Sequence, residues 1–187
     1  MFTAYLRERF PLRIFGVAAI GIVTAARWTS GATPTVATLA HATALSIVLL
    51  LQFRMWDDLE DRDQDSTSHQ ERVLVRTPAA PYQRALRCLA LVSVALGAFD
   101  GWSTAVEIVL LDLGFYMAYR RVRQHVSDGV WRFSILLSKY PAFVVVVATV
   151  FGAPQAGRLA AAVLVTYLTA CAYELLHERR LFAGVPS

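Results

Sequence analysis

The chain has 187 residues, 56% of them hydrophobic and 17% charged, with a mean hydropathy of +0.47. A soluble domain of this size carries about a quarter charged residues, and the long uncharged apolar runs make membrane the leading class. The net charge of +4 does not point to nucleic acid, because the arginines gather at the ends of apolar runs, where they set topology and meet anionic lipid.

A helix needs about 20 apolar residues to cross a bilayer, and six runs are read as spans. The first covers residues 11–28 and is a retained span: Arg7, Arg9 and Arg13 precede it, and no small-residue cleavage site follows a short apolar core. A turn at Ser30-Gly31-Ala32-Thr33-Pro34 leads to the second, 36–56. Polarity then rises through an Asp-rich loop, 57–81. The third span is 82–99, and Asp100-Gly101 turns the chain into the fourth, 102–119. A basic loop with Arg120, Arg121 and Arg123 leads to the fifth, 130–151, which Pro141 should kink. Gly152-Ala153-Pro154 turns into the sixth, 156–176, before a polar tail. The expected fold is an all-α polytopic bundle forming one transmembrane domain over 1–187.

Six spans put both termini on one side. Arg27 and Arg158 alone fall on the other side, while the N-terminal, Asp-rich, basic-loop and tail arginines share the first. The positive-inside rule makes that side cytoplasmic. Lys139 is the only lysine among 18 basic residues, a bias that points to a GC-rich bacterial genome and so to a bacterial inner membrane. Cys88 and Cys171 lie in apolar helical runs and are read as packing residues.

The residues that carry chemistry begin at Asp57-Asp58-Leu59-Glu60-Asp61-Arg62-Asp63-Gln64-Asp65. If the second helix continues past Trp56, Asp57, Asp61 and Asp65 share one face. Like charges at that spacing repel. Magnesium relieves such repulsion, sharing its shell between carboxylates and phosphate oxygens; the alternative is a solvated acidic loop offset by Arg54, Arg62 and Arg72. Within the membrane runs, Glu107, Asp112 and Lys139 stand out, since ionisable groups there are costly and are paired or functional. Asp112, Tyr116 and Arg120 follow at one-turn intervals. Lys139 is expected to pair with Glu107 or Asp112, and His41 to make a helix contact.

Asp57, Asp58, Asp61 and Asp65 resemble the first aspartate motif of the UbiA superfamily of intramembrane prenyltransferases, Asn/Asp-Asp-x-x-Asp-x-x-x-Asp. Phe53-Arg54-Met55-Trp56 before it and His69-Gln70-Glu71-Arg72-Val73-Leu74-Val75-Arg76 after it are similar to that family's flanks, without the prolines and glycine of the second. Tyr116-Met117-Ala118-Tyr119-Arg120 resembles its Tyr-x-x-x-Lys/Arg element. Tyr173-Glu174-Leu175-Leu176-His177-Glu178 resembles its second motif, Tyr-Asp-x-x-x-Asp, with glutamates replacing aspartates.

The resemblance spans residues 10–180 and implies a magnesium-dependent prenyltransferase acting on a prenyl diphosphate and an acceptor. Asp57, Asp58, Asp61, Asp65, Glu174 and Glu178 would hold the metal. Arg72, Arg76, Asp112, Tyr116, Arg120, Lys139 and Tyr173 would contact substrate. A terpene synthase of the same superfamily and a non-catalytic membrane subunit that binds a lipid diphosphate or a partner are the alternatives. Family members carry further helices that wall the cavity, so a homo-oligomer or a partner chain is expected to close it here. Gly16, Ala19, Gly21 and Ala25 on the first span, and Ala156, Gly157, Ala160, Ala161 and Ala162 on the sixth, offer small-residue packing surfaces.

Overall fold

The computed structural model describes residues 2–31, 33–125 and 130–182, with side chains at 64, 68, 122–125, 130–133 and 177–182 outside the description. Every element among them is an α-helix, and none of the described residues forms a strand. The first, α1 (Phe2–Arg9), was not expected from hydropathy. It leads through Pro11 into α2 (Leu12–Thr29). Pro11 occupies the N-cap position, and the Phe10 and Phe15 rings stack across it at 4.0 Å, a hydrophobic staple that sets the angle between the two helices.

The Thr35 hydroxyl caps α3 (Val36–Glu60) by accepting from the Thr38 amide at 3.1 Å. This helix is the centre of the bundle. Leu45, Leu49 and Phe53 are buried on it, against Phe143 and Val147 on one side and Ile108 and Phe115 on another. Phe53 meets Phe115 and Phe143 edge-on, with ring centroids 5.2 and 5.0 Å away.

The segment read as a polar loop, 57–81, is largely helical. It holds the last turn of α3, then α4 (Arg62–Ser68) and α5 (Val73–Arg76). The long hairpin that follows consists of α6 (Ala80–Asp100) and α7 (Trp102–His125). Pro81 sits in the first turn of α6, where its missing N–H costs nothing. Gly101 joins the two helices at φ +150°, and Gly97 lets them close: a Cβ there would lie 2.6 Å from Ile108 Cδ1 and 3.2 Å from the Ala105 amide nitrogen.

The expected fifth span is broken. α8 (Val130–Leu137) and α9 (Lys139–Thr149) meet at Ser138, three residues before Pro141. Pro141 has no N–H to offer the Leu137 carbonyl, so regular helix cannot cross this point. The last helix, α10 (Ala156–Phe182), packs on α2, α8 and α9. Neighbouring pairs run α7–α6–α3–α2–α10, and α9 touches α2, α3, α7 and α10.

Among the described residues three helices are long and apolar enough to cross a membrane: Leu12–Thr29, Val36–Glu60 and Ala156–Leu176. Little of the last helix is buried, and Leu164, Val165 and Leu168 face outward from it. Leu12, Val17 and Ile20 do the same on α2. Apolar surface of that extent is compatible with a protein that lies in lipid.

The small-residue stripes divide. Ala19 and Ala162 are buried in the core of this one chain, whereas a Cβ on Gly16, Gly21 or Gly157 would meet no atom within 4 Å. Cys88 is exposed rather than packed, and Cys171 is partly buried.

Candidate functional site

The last turn of α3 and α4 are nearly one helix. Asp61 stands between them with helical backbone angles. Its amide donates to the Asp57 carbonyl at 2.9 Å, the Asp65 amide to Asp61 at 2.8 Å and the His69 amide to Asp65 at 2.7 Å. The four-residue spacing is therefore kept through the break, and Asp57, Asp61 and Asp65 follow one helical stripe. Repulsion along it is met at Asp57 by a lysine 82 residues away and at Asp65 by an arginine seven residues on.

Asp57 is gripped from two helices. Tyr119 Oη of α7 donates to its Oδ1, and Lys139 Nζ of α9 donates to its Oδ2. Lys139 is buried, with 6% of its surface exposed, and lies over the Tyr140 ring at 5.6 Å. Asp61 and Glu60 lie within electrostatic reach of the same Tyr119 hydroxyl.

Asp58 turns the other way, into a small second core of Tyr5, Met55, Leu74 and Tyr82. It is 3% exposed. Tyr5 Oη donates to Oδ2 at 3.0 Å. Arg9 donates through Nε to both oxygens at 3.1 Å and through Nη2 to Oδ1. Arg54 Nη2 stands 3.3 Å from Oδ1, one turn back on α3. Burial, then the charge of Asp58 and the hydrogen bond to it, push the Tyr5 hydroxyl far above its usual pKa, so Tyr5 stays a donor. For Arg9 burial works most strongly against the charge, but the hydrogen bond to Asp58 together with the charges of Asp58, Asp65 and Tyr5 outweighs it, and the guanidinium is held more firmly protonated.

Asp65 is paired with Arg72, closing α4 onto the start of α5. Arg62 Nη2 donates to the Thr77 carbonyl at 2.8 Å. Arg76 is exposed on α5.

Other expectations divide. Lys139 does not pair with Glu107 or Asp112: it reaches Asp57, because the break at Ser138 puts Lys139 at the first turn of α9, beside the end of α3. Asp112 instead accepts from Gln52 Nε2 at 2.7 Å, and Gln52 Oε1 accepts from Ser93 Oγ at 2.9 Å, tying α3, α6 and α7 together. Glu107 Oε2 is buried without a hydrogen-bond partner. His41 makes its helix contact, with Nε2 2.7 Å from Asp100 Oδ2.

Tyr116 and Arg120 are exposed, and neither is the α7 residue that meets Asp57. That residue is Tyr119, buried at 6% exposure. Tyr173 is exposed, Glu174 is partly buried, and the Glu178 side chain lies outside the described residues, as do those of the topology arginines Arg123, Arg132, Arg179 and Arg180.

A cleft of about 340 Å³ runs between α3, α6 and α7, lined by Gln52, Trp56, Leu86, Arg87, Ala90, Asp112, Leu113 and Tyr116. Its size falls within the range of small-molecule sites, and Trp56 on its wall adjoins Asp57. The donor set at the helix end consists of hard carboxylate oxygens, which suits magnesium. The carboxylates are turned onto cations of the chain, and among the described residues no three His, Cys, Asp or Glu groups are gathered as a metal shell.

Tyr5, Arg9, Gln52 and Tyr119 escaped the sequence reading. In the sequence Arg9 carries only a topology signal, and Tyr119 lies three residues past Tyr116. The pairing of Tyr5 with Asp58 spans 53 residues and has no local signal. Comparison with protein families, with curated proteins and with solved structures returns no match for this chain.

Proposed function

We propose that this chain is a magnesium-dependent intramembrane prenyltransferase that ionises a prenyl diphosphate and passes the prenyl group to an acceptor. One observation carries this reading. Asp57, Asp61 and Asp65 keep helical register at the end of an apolar helix long enough to cross a bilayer, beside a cleft lined by Trp56, Asp112 and Tyr116.

In this reading Asp57, Asp61 and Asp65, with Glu174 and Glu178 from α10, would hold the metal, which would supply positive charge against the leaving diphosphate. Lys139 and Arg72, the cations on those carboxylates, are at hand for phosphate oxygens, and Arg76 and Arg120 add positive charge where negative charge develops. The carbon–oxygen bond of the substrate breaks, diphosphate leaves with the bonding electrons, and the acceptor attacks the allylic carbon and gives up its proton to the departing diphosphate. The cleft takes the apolar tail and shields the cation from water.

Six spans, the cytoplasmic facing of the aspartates, a bacterial inner membrane, and closure of the bundle by a second copy or a partner chain belong to the same proposal. A cyclase would use the same ionisation with an internal double bond as nucleophile.

A second reading has its own support. Asp57, Asp58 and Asp65 each carry a cation of the chain, so three of the four motif aspartates are answered without a ligand, as a non-catalytic lipid-diphosphate-binding subunit would allow. The test is to incubate the protein in lipid with Mg²⁺ and prenyl diphosphates of graded length. Diphosphate release is expected. Binding without release from any of them would favour the subunit.

A further inference from the structure

We propose that Asp58 is not a metal ligand but the anchor of an N-terminal strap, and that Tyr5 and Arg9 are positioning residues for the acidic segment that follows α3. A carboxylate offers about four lone-pair positions. Those of Asp58 are taken up by Tyr5 Oη, by Arg9 through Nε and Nη2, and by Arg54 Nη2. The group is also buried, so a metal would have to displace the fork of an arginine already held by two of its nitrogens.

The strap extends beyond Asp58. Glu8 Oε2 accepts from the Val73 amide at 3.3 Å, so α1 caps the first turn of α5. Tyr5 packs on Tyr82 at 5.5 Å, at the start of α6. Arg9 lies within electrostatic reach of Asp65, which Arg72 pairs. One short helix thus touches the end of α3, the start of α5 and the start of α6. Those elements bracket residues 61–79, the segment that carries Asp61, Asp65, Arg72 and Arg76. Adjacent aspartates point a helix's two sides apart: Asp57 faces α7 and α9, and Asp58 faces the strap. The fastening does not depend on any ligand.

The experiment uses the whole protein in detergent or nanodiscs. Amide hydrogen exchange over residues 62–76 is measured without ligand for the parent, Asp58→Asn, Arg9→Ala and the double variant. Each single substitution is expected to speed exchange there by roughly tenfold or more, as release of a local opening unit does. The double variant should add little, because both changes undo one contact. Arg9→Lys keeps the charge without the fork and should fall between. Should Asp58→Asn not fold, Arg9→Lys and Arg9→Ala still decide the strap.

Binding of inorganic diphosphate with MgCl₂ separates the anchor from a ligand. An anchor predicts that Arg9→Ala weakens binding as Asp58→Asn does. A metal ligand predicts the reverse for Arg9→Ala, since removal of the arginine frees the carboxylate and tightens binding. Exchange over 62–76 that stays at the parent rate in Arg9→Ala, or tighter Mg²⁺–diphosphate binding in that variant, overturns the proposal. If the parent binds no diphosphate at all, the prenyltransferase reading fails while the exchange result still decides the strap.

Discussion

Lys139 and Asp57 lie 82 residues apart and meet at the foot of α9 and the end of α3, with side chains 7% and 16% exposed. This is the chain's only lysine, and it sits where an ammonium is expensive unless paired. Tyr119 completes the grip from α7, so three helices converge on one carboxylate. The pair thus links the part of the bundle that carries Glu174 to the part that carries the cleft.

Breaking that pair should be costly. Lys139→Met leaves the partly buried Asp57 carboxylate with only a phenol to answer it. Removing one partner of a fully buried ion pair costs about 3–5 kcal/mol, and the cost here is smaller because Asp57 keeps some contact with solvent. A clear fall in melting temperature in detergent is expected, with partial recovery when Asp57→Asn is added. A melting curve like that of the parent would show the pair to be dispensable.

The α6–α7 hairpin should tolerate no side chain at Gly97. A methyl group there would overlap Ile108 Cδ1 at 2.6 Å and press on the Ala105 backbone. Overpacking of this kind costs about 1–3 kcal/mol. Gly97→Ala should lower thermal stability, and Ile108→Val in the same background should restore part of it by withdrawing the clashing methyl group. No change in stability in Gly97→Ala would mean that the hairpin has room to spread.

Ligand-induced stabilisation tests the aspartate stripe directly. A ligand at 100 times its dissociation constant stabilises by about 2.7 kcal/mol. Mg²⁺ with a prenyl diphosphate should raise the melting temperature of the parent. Mg²⁺ alone should do less, because that ion shares its shell with phosphate. Asp61→Ala should abolish the response, and a response in that variant equal to the parent's rules out the stripe as the metal site.

Sidedness can be read from single cysteines at Ser66 on α4 and Ser103 on α7, both exposed. The exposed Cys88 must first be replaced, together with Cys171, to clear the background. A membrane-impermeant thiol reagent should label the two positions from opposite sides of the membrane. Labelling of both from one side sinks the six-span topology.

Much of the helical organisation could be read from the sequence because its signals are local. The apolar runs that became α2, α3 and α10 are long and uninterrupted, and such runs report the solvent around a helix whatever it packs against. Four-residue spacing of aspartates beyond Trp56 likewise survives in the structure, since it needs only that a helix continue. Pro141 announced a break from its missing N–H, although the chain turns at Ser138.

Partners were a different matter. Asp57 and Asp58 are adjacent and chemically identical, and no local rule tells which faces Lys139 and which faces Arg9. Nor could hydropathy show that Tyr119 rather than Tyr116 points inward, or that Lys139 would pass over Asp112. These choices follow from how α1, α7 and α9 rotate and pack around α3. They are settled by contacts between residues 49 to 82 positions apart, where burial leaves each charge only the partner that packing brings to it.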